Sequence, residues 1–223
     1  MPIDNSNMVK VLEDFPSQCK TALELTKGMT VSGKVDKIVV IGMGGSAVGG
    51  DLLRVYMHSS KIPVFVVRDY KVPGFVDENT LVFAVSYSGN TEETISAYED
   101  ALKKKAKIIA VTSGGTLGSS AKKVIKIPSG MQPRAALGYL FFPVLGVLVN
   151  SGIIEVKNAE ISEMIDVLSN TKEFKSFGEA LAKKLQGKTP LIYASEFFEP
   201  VAYRWKTQFN ENSKNPAFYH TFS

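Results

Sequence analysis

Histidine, cysteine and tryptophan are nearly missing from this chain, and the shortages close off chemistry. Its 223 residues include two histidines, one cysteine and one tryptophan. A single cysteine, Cys19, excludes an internal disulfide and fits a reducing, cytoplasmic compartment. It falls among Leu12, Phe15, Leu23 and Leu25, as a packed thiol rather than a nucleophile would. Two histidines and one cysteine cannot by themselves close a zinc site, so no metal is expected. No secretory signal is read at the start, because Asp4, Glu13 and Asp14 interrupt the apolar residues there. Long runs of one charge are missing too. Lys103-Lys104-Lys105 is the longest basic run, and it closes a helix opened by Glu92 and Glu93. That arrangement compensates a helix dipole on a solvated face and does not mark a nucleic-acid surface. Ala135 to Ile154 carries no charge and is long enough to span a bilayer. Pro143 at its centre, polar Asn150-Ser151 and the lack of a flanking basic cluster read it instead as a helix buried on all sides, with no membrane partner.

What is present is ordinary for a globular protein: 44% hydrophobic and 22% charged residues, net charge +4, mean hydropathy +0.03. The length suits one large or two small domains. Residues 5–27 predict an amphipathic helical lead-in bent near Pro16. Beyond it the patterns predict strands at 37–41, 63–67, 80–85, 107–112 and 124–127, with helices at 47–57, 91–105 and 116–122. The strands are apolar without alternation and most are separated by helices. The fold class expected is therefore α/β, a doubly wound parallel sheet covered on both faces. After residue 155 the pattern changes: helices near 158–169 and 173–186, one strand at Leu191 to Ser195, and a last helix from about Pro200 to Asn212. This gives two expected domains, 1–154 and 155–223, the second being the beginning of another α/β domain, since one strand cannot make a sheet. His220 reads as an ordinary loop or helix-end histidine.

Ligands of such sheets sit beyond the carboxyl ends of the strands, and two loops there are unusual. The first, Gly42-Met43-Gly44-Gly45-Ser46-Ala47, follows the first strand. Its glycines allow backbone N–H groups to approach a ligand closely. Gly42, Gly44 and Ala47 also match the dinucleotide fingerprint, with Asp69 the nearest candidate for its ribose-binding acid. The second, Ser86-Tyr87-Ser88-Gly89-Asn90-Thr91, lies between a buried strand and a helix. Hydroxyls, free amides and the positive end of a helix dipole converge there on an anion, and phosphate is the natural guest. The lack of lysine points away from a nucleoside triphosphate loop. Asn90 with Glu93 also fits a capping box, the plainer explanation of such a cluster. Thr112-Ser113-Gly114-Gly115-Thr116 falls on the same edge.

A Gly-Gly-Ser turn after one strand and Ser-x-Ser-Gly-x-Thr after another resemble the sugar isomerase (SIS) domain, which binds phosphosugars. Arg134 in Gln132-Pro133-Arg134-Ala135-Ala136-Leu137-Gly138 extends the resemblance, as does Tyr203 to Lys214 with Asn210-Glu211-Asn212-Ser213-Lys214. Together these are similar to the archaeal-type bifunctional phosphoglucose/phosphomannose isomerases. The resemblance implies an aldose–ketose isomerase converting glucose 6-phosphate and mannose 6-phosphate to fructose 6-phosphate through an enediolate, with no cofactor. It implies Glu211 as the base and Arg134 as the cation beside the developing charge, with Trp205 and Phe209 packed beneath the base. Gly45, Ser46, Ser86, Ser88 and Thr91 would hold the phosphate. It also implies a homodimer, and a ring-opening histidine and a lysine downstream of Ser223; His220 does not match that histidine. Other readings are a single-domain hexulose-phosphate isomerase, a non-catalytic phosphosugar-binding module and a nicotinamide enzyme. No helix-turn-helix with a basic face favours a regulator.

Overall fold

A computed structural model describes residues 4, 5 and 7–223 and divides the chain into two compact units, Met1–Ile165 and Asp166–Ser223. In the first unit, α1 (Met8–Glu13) and α2 (Phe15–Glu24) form the lead-in. The break falls at Asp14, and Pro16 sits in the first turn of α2, where its missing N–H costs nothing. There follow β1 (Lys37–Ile41), α3 (Gly44–Tyr56), β2 (Val64–Val67), β3 (Thr80–Val85), α4 (Glu92–Lys103), β4 (Lys107–Thr112), α5 (Gly115–Ser120), β5 (Val124–Lys126) and α6 (Leu137–Asn150).

The five strands are all parallel, in the order β2-β1-β3-β4-β5. The chain leaves β1 toward β2 and leaves β3 toward β4, in opposite directions. Right-handed crossovers then place α3 and α4 on opposite faces. Val39, Ile41, Val67 and Val82 pack with Ala97 and Ala101 of α4 on one side. On the other, Gly50 brings α3 so close that an added Cβ would lie 2.8 Å from Val40. Strands covered twice must be apolar on both faces, which is why all six residues of β3 are buried.

Between β1 and β3 the winding reverses. This is the switch point at which such sheets open a crevice at their carboxyl edge. Helix α6 packs against α2 and α3 and buries nine of its residues, among them Leu140, Val144, Val147 and Leu148. Among the described residues no helix is long and apolar enough to cross a membrane. Cys19 is fully buried under this layer, and burial pushes its thiol up to about 12, so it is packing material.

The helix α7 (Asn158–Leu168) crosses the boundary between the units. The second unit continues with α8 (Thr171–Leu185), β6 (Leu191–Ser195), α9 (Glu199–Gln208) and β7 (Phe218–Phe222). Strand β7 corrects the sequence-based expectation of a lone strand. It pairs in parallel with β6, with Leu191 opposite Phe218 and Ser195 opposite Phe222. His220 therefore stands in a strand, its ring edge-on to Tyr193 at 6.2 Å, and not at a loop or helix end. Helix α9 lies against both strands, and Tyr203 and Tyr219 meet edge to face at 5.7 Å. A cavity of about 430 Å3, lined by Leu181, Leu185, Leu191, Tyr193, Trp205 and Phe209 among others, lies within this unit.

Candidate active site

The loop after β1 is shorter than propensity suggests. Helix α3 begins at Gly44, three residues before the predicted start, so Gly44-Gly45-Ser46 form its first turn. Ser46 is buried at 7% exposure, and its Oγ accepts the Tyr87 N–H at 3.3 Å. That bond joins the two loops flanking the switch point. No side chain caps α3 or α4. Amides of a helix's first turn have no partner within the helix and point back along its axis. Both helices therefore present amides at this edge.

The second loop is folded around its own hydroxyls. Ser86 Oγ and Thr91 Oγ1 are hydrogen-bonded at 2.9 Å, and Ser86 Oγ also accepts the Gly89 N–H at 3.1 Å. The exposed Ser88 accepts the Asn90 N–H through Oγ at 3.2 Å. The capping box is not made. Thr91 is the N-cap residue, and Asn90 Oδ1 instead accepts from the Thr116 N–H at 2.9 Å and the Thr116 hydroxyl at 3.2 Å. The loop after β4 is thus a buttress. Ser113 donates to Tyr87 O from both N–H (3.0 Å) and Oγ (2.7 Å), and the Leu117 N–H donates to Gly89 O at 2.9 Å. Gly89 has φ +72, and a Cβ there would lie 1.8 Å from Gly114 O, so only glycine fits.

Arg134 enters this edge from a third segment. It sits in the turn Pro133–Ala135 before α6. A Cβ on Gly45 would meet Pro133 O at 3.4 Å and Arg134 Cα at 3.5 Å. Gly45, Ser46 and Arg134 are therefore neighbours, as are Ser46, Ser86 and Thr91 through the second loop. Two residues that sequence reasoning missed hold the arginine segment. Gln18 on α2 donates through Nε2 to Ala135 O at 3.2 Å. The Tyr87 hydroxyl donates to Pro128 O at 3.0 Å and accepts the Met131 N–H at 2.9 Å. The available signals were a buried polar residue on an apolar helix face and a large side chain among small hydroxyls.

The nicotinamide alternative finds a different use for its neighbourhood. Arg68, just past β2, forms an ion pair with the buried Asp51 of α3. Asp69 Oδ1 accepts the N–H of Tyr70 at 2.6 Å.

Glu211 belongs to the second unit and is exposed. It lies in a single widened turn, Phe209–Ser213, of π geometry, so the predicted helix end at Asn212 is replaced by an irregular one. One extra residue in a turn re-aims the side chains it carries, and such turns recur at functional sites. Lys214 follows at φ 54 and ends the run. Asn210 Oδ1 accepts the Ala217 N–H at 2.9 Å, fastening the motif to the residue before β7. Burial draws the Arg204 guanidinium below its ordinary value, while the nearby Glu211 charge pushes it up. Trp205 and Phe209 do pair, with ring centres 6.0 Å apart, but Trp205 is 43% exposed rather than core.

Comparison with known proteins follows the same division. The SIS-domain profile matches residues 33–145, and that of the bacterial phospho-glucose isomerase C-terminal SIS domain matches residues 174–223. A bifunctional phosphoglucose/phosphomannose isomerase of Caldicellulosiruptor bescii is 48% identical, over 97% of this chain and 69% of the relative. The chain belongs to the bifunctional phosphoglucose/phosphomannose isomerase family of SIS-domain proteins. Within and around this family, a D-glucosamine-6-phosphate 4-epimerase of Sulfolobus acidocaldarius is 35% identical, over 82% of this chain and 60% of the relative. The tagatose-6-phosphate ketose/aldose isomerase of Escherichia coli has the same fold, with TM-score 0.70 at 16% identity over 99% of this chain and 68% of that one. The chain thus spans about two thirds of the length of these relatives.

Proposed function

We propose that this chain carries the phosphosugar site of an aldose–ketose isomerase, interconverting glucose 6-phosphate and mannose 6-phosphate with fructose 6-phosphate. The observation that carries this is the meeting of the two loops at the switch point, Tyr87 N–H on Ser46 Oγ. There, two uncapped helix starts and a set of hydroxyls are available to one dianion. Phosphosugars are named for both of the relatives above 30% identity, so the ligand class has support from each. The isomerase chemistry has it from the more similar one.

In this proposal Ser46, Ser86, Ser88 and Thr91 grip the phosphate, with Gly45 keeping the backbone clear. Phosphate held away from the reacting carbons supplies positioning energy. Arg134 stabilises the enediolate oxygen, and Glu211 carries the proton between the adjacent carbons. The base assignment rests on the Asn210-Glu211-Asn212-Ser213-Lys214 motif and its widened turn. Isomerisation through one shared carbon accounts for both epimers if the site ignores the configuration there. The second unit is taken as the start of a second SIS domain, and the working form as a homodimer in the cytoplasm. The family resemblance supports the second domain and the homodimer, and the single buried cysteine supports the compartment.

Coupled assays on the full-length protein test this, with glucose 6-phosphate and mannose 6-phosphate as separate substrates, with and without added nicotinamide nucleotide. Fructose 6-phosphate should form from both sugars at rates indifferent to the nucleotide. Saturable sugar binding with no turnover would make it a sensing module instead.

A further inference from the structure

We infer that Tyr87 is a positioning residue for Arg134, a strut between the phosphate-binding loop and the segment that delivers the arginine. This rests on the phosphosugar reading and adds to it a coupling between two parts of the site.

The main chain and the side chain of Tyr87 serve different segments. Its N–H donates to Ser46 Oγ at 3.3 Å and its carbonyl accepts from Ser113, so the backbone belongs to the phosphate loop. Its phenol reaches residues 41 and 44 positions away, donating to Pro128 O and accepting the Met131 N–H. Two hydrogen bonds at one phenolic oxygen, one donated and one accepted, close the segment 128–131 at both ends, three residues before Arg134. From the other side Gln18 fixes Ala135, and Gly45 lets Pro133 and Arg134 approach α3.

Tyr87 is only 7% exposed, so water cannot readily replace these bonds. Burial also raises the phenol above its ordinary value, so the proton donated to Pro128 is kept through the physiological range. A ligand with phosphate alone needs only the loops after β1 and β3. A ligand that also carries negative charge at the reacting end needs Arg134 in register with them, and the Tyr87 ring sets that register.

Calorimetric titration of the full-length protein separates the two. The probes are inorganic phosphate and arabinonic acid 5-phosphate, whose carboxylate stands where enediolate oxygens would be. Tyr87→Phe keeps the ring and removes only the hydroxyl. It should leave phosphate affinity within about twofold and weaken the sugar acid by about tenfold, the effect of one to two lost hydrogen bonds. In an Arg134→Ala background the same change should cause no further loss, since the strut then has nothing to position. Equal weakening of both probes, no weakening of either, or an undiminished tenfold loss without Arg134 would each overturn the inference. Failure of the unmutated protein to bind either probe would sink the phosphosugar reading itself and this inference with it. Should the variant not fold, amide exchange in the unmutated protein decides. The sugar acid must slow exchange at Met131 while inorganic phosphate does not, and an equal response refutes the strut.

Discussion

Replacing Glu211 by glutamine in the full-length protein should lower turnover by about 10²- to 10⁴-fold, the usual contribution of a positioned general base. Fructose 6-phosphate should bind within about twofold of the unmutated affinity, because the proposed phosphate grip is assigned to the loops and not to the motif around Glu211. Glutamine matches glutamate in size, so the widened turn Phe209–Ser213 and the Asn210 bond to Ala217 have no reason to change. What disappears is the carboxylate proposed to take and return the proton. Coupled assay gives the rate and calorimetry the affinity. Loss of both together would mean that Glu211 supports the fold or the ligand rather than the proton transfer.

Gly89→Ala should have the largest effect on stability, at least about 3 kcal/mol. Two penalties coincide. A φ of +72 costs an alanine roughly 1–2 kcal/mol. The added Cβ would also lie 1.8 Å from Gly114 O and 2.7 Å from Thr112 Oγ1. Neither neighbour can retreat easily, because Gly89 itself is tied to Ser86 Oγ and, through its carbonyl, to the Leu117 N–H. Relief therefore requires prising the loop after β3 away from the loop after β4, which would take the proposed phosphate grip with it. Gly178→Ala is the matched control. Gly178 lies in α8 with nothing within 4 Å of its added Cβ, so alanine should gain about 0.5–1 kcal/mol through helix propensity. Urea unfolding of the two variants checks the opposite signs. Equal stability in both would show that the two loops are not packed as described.

How much of this was legible in the sequence depends on how far each residue's partners lie. Strands 37–41, 80–85 and 107–112 were read at their observed bounds because burial on both faces makes them continuously apolar. The five residues Phe218-Tyr219-His220-Thr221-Phe222 were not read as a strand. Polar His220 and Thr221 dilute the signal, and the partner strand lies across the whole of α9. The early start of α3 ran against local preference. Two glycines and a serine are weak helix formers, and tertiary packing at Gly45 and Gly50 decides the matter.

The two loops of the candidate site stand out in the sequence through residue type and position, and the Tyr87 N–H bond to Ser46 Oγ joins them. Asn90 looked like a cap yet is used 26 residues away at Thr116. Arg134 enters the candidate site only through the family resemblance, since nothing local says where a loop arginine will lie; its place beside Gly45 is a feature of the fold. Tyr87 and Gln18 escaped because their roles exist only in the folded chain; Gln18 acts on a carbonyl 117 residues distant.

The most direct measurement of the central claim is a crystal structure of the protein with fructose 6-phosphate. One phosphate should lie between the first turns of α3 and α4, with oxygens roughly 2.6–3.1 Å from hydroxyls or amides of both loops. A phosphate bound at another edge of the sheet, or held by one loop with the other turned from it, would contradict the account.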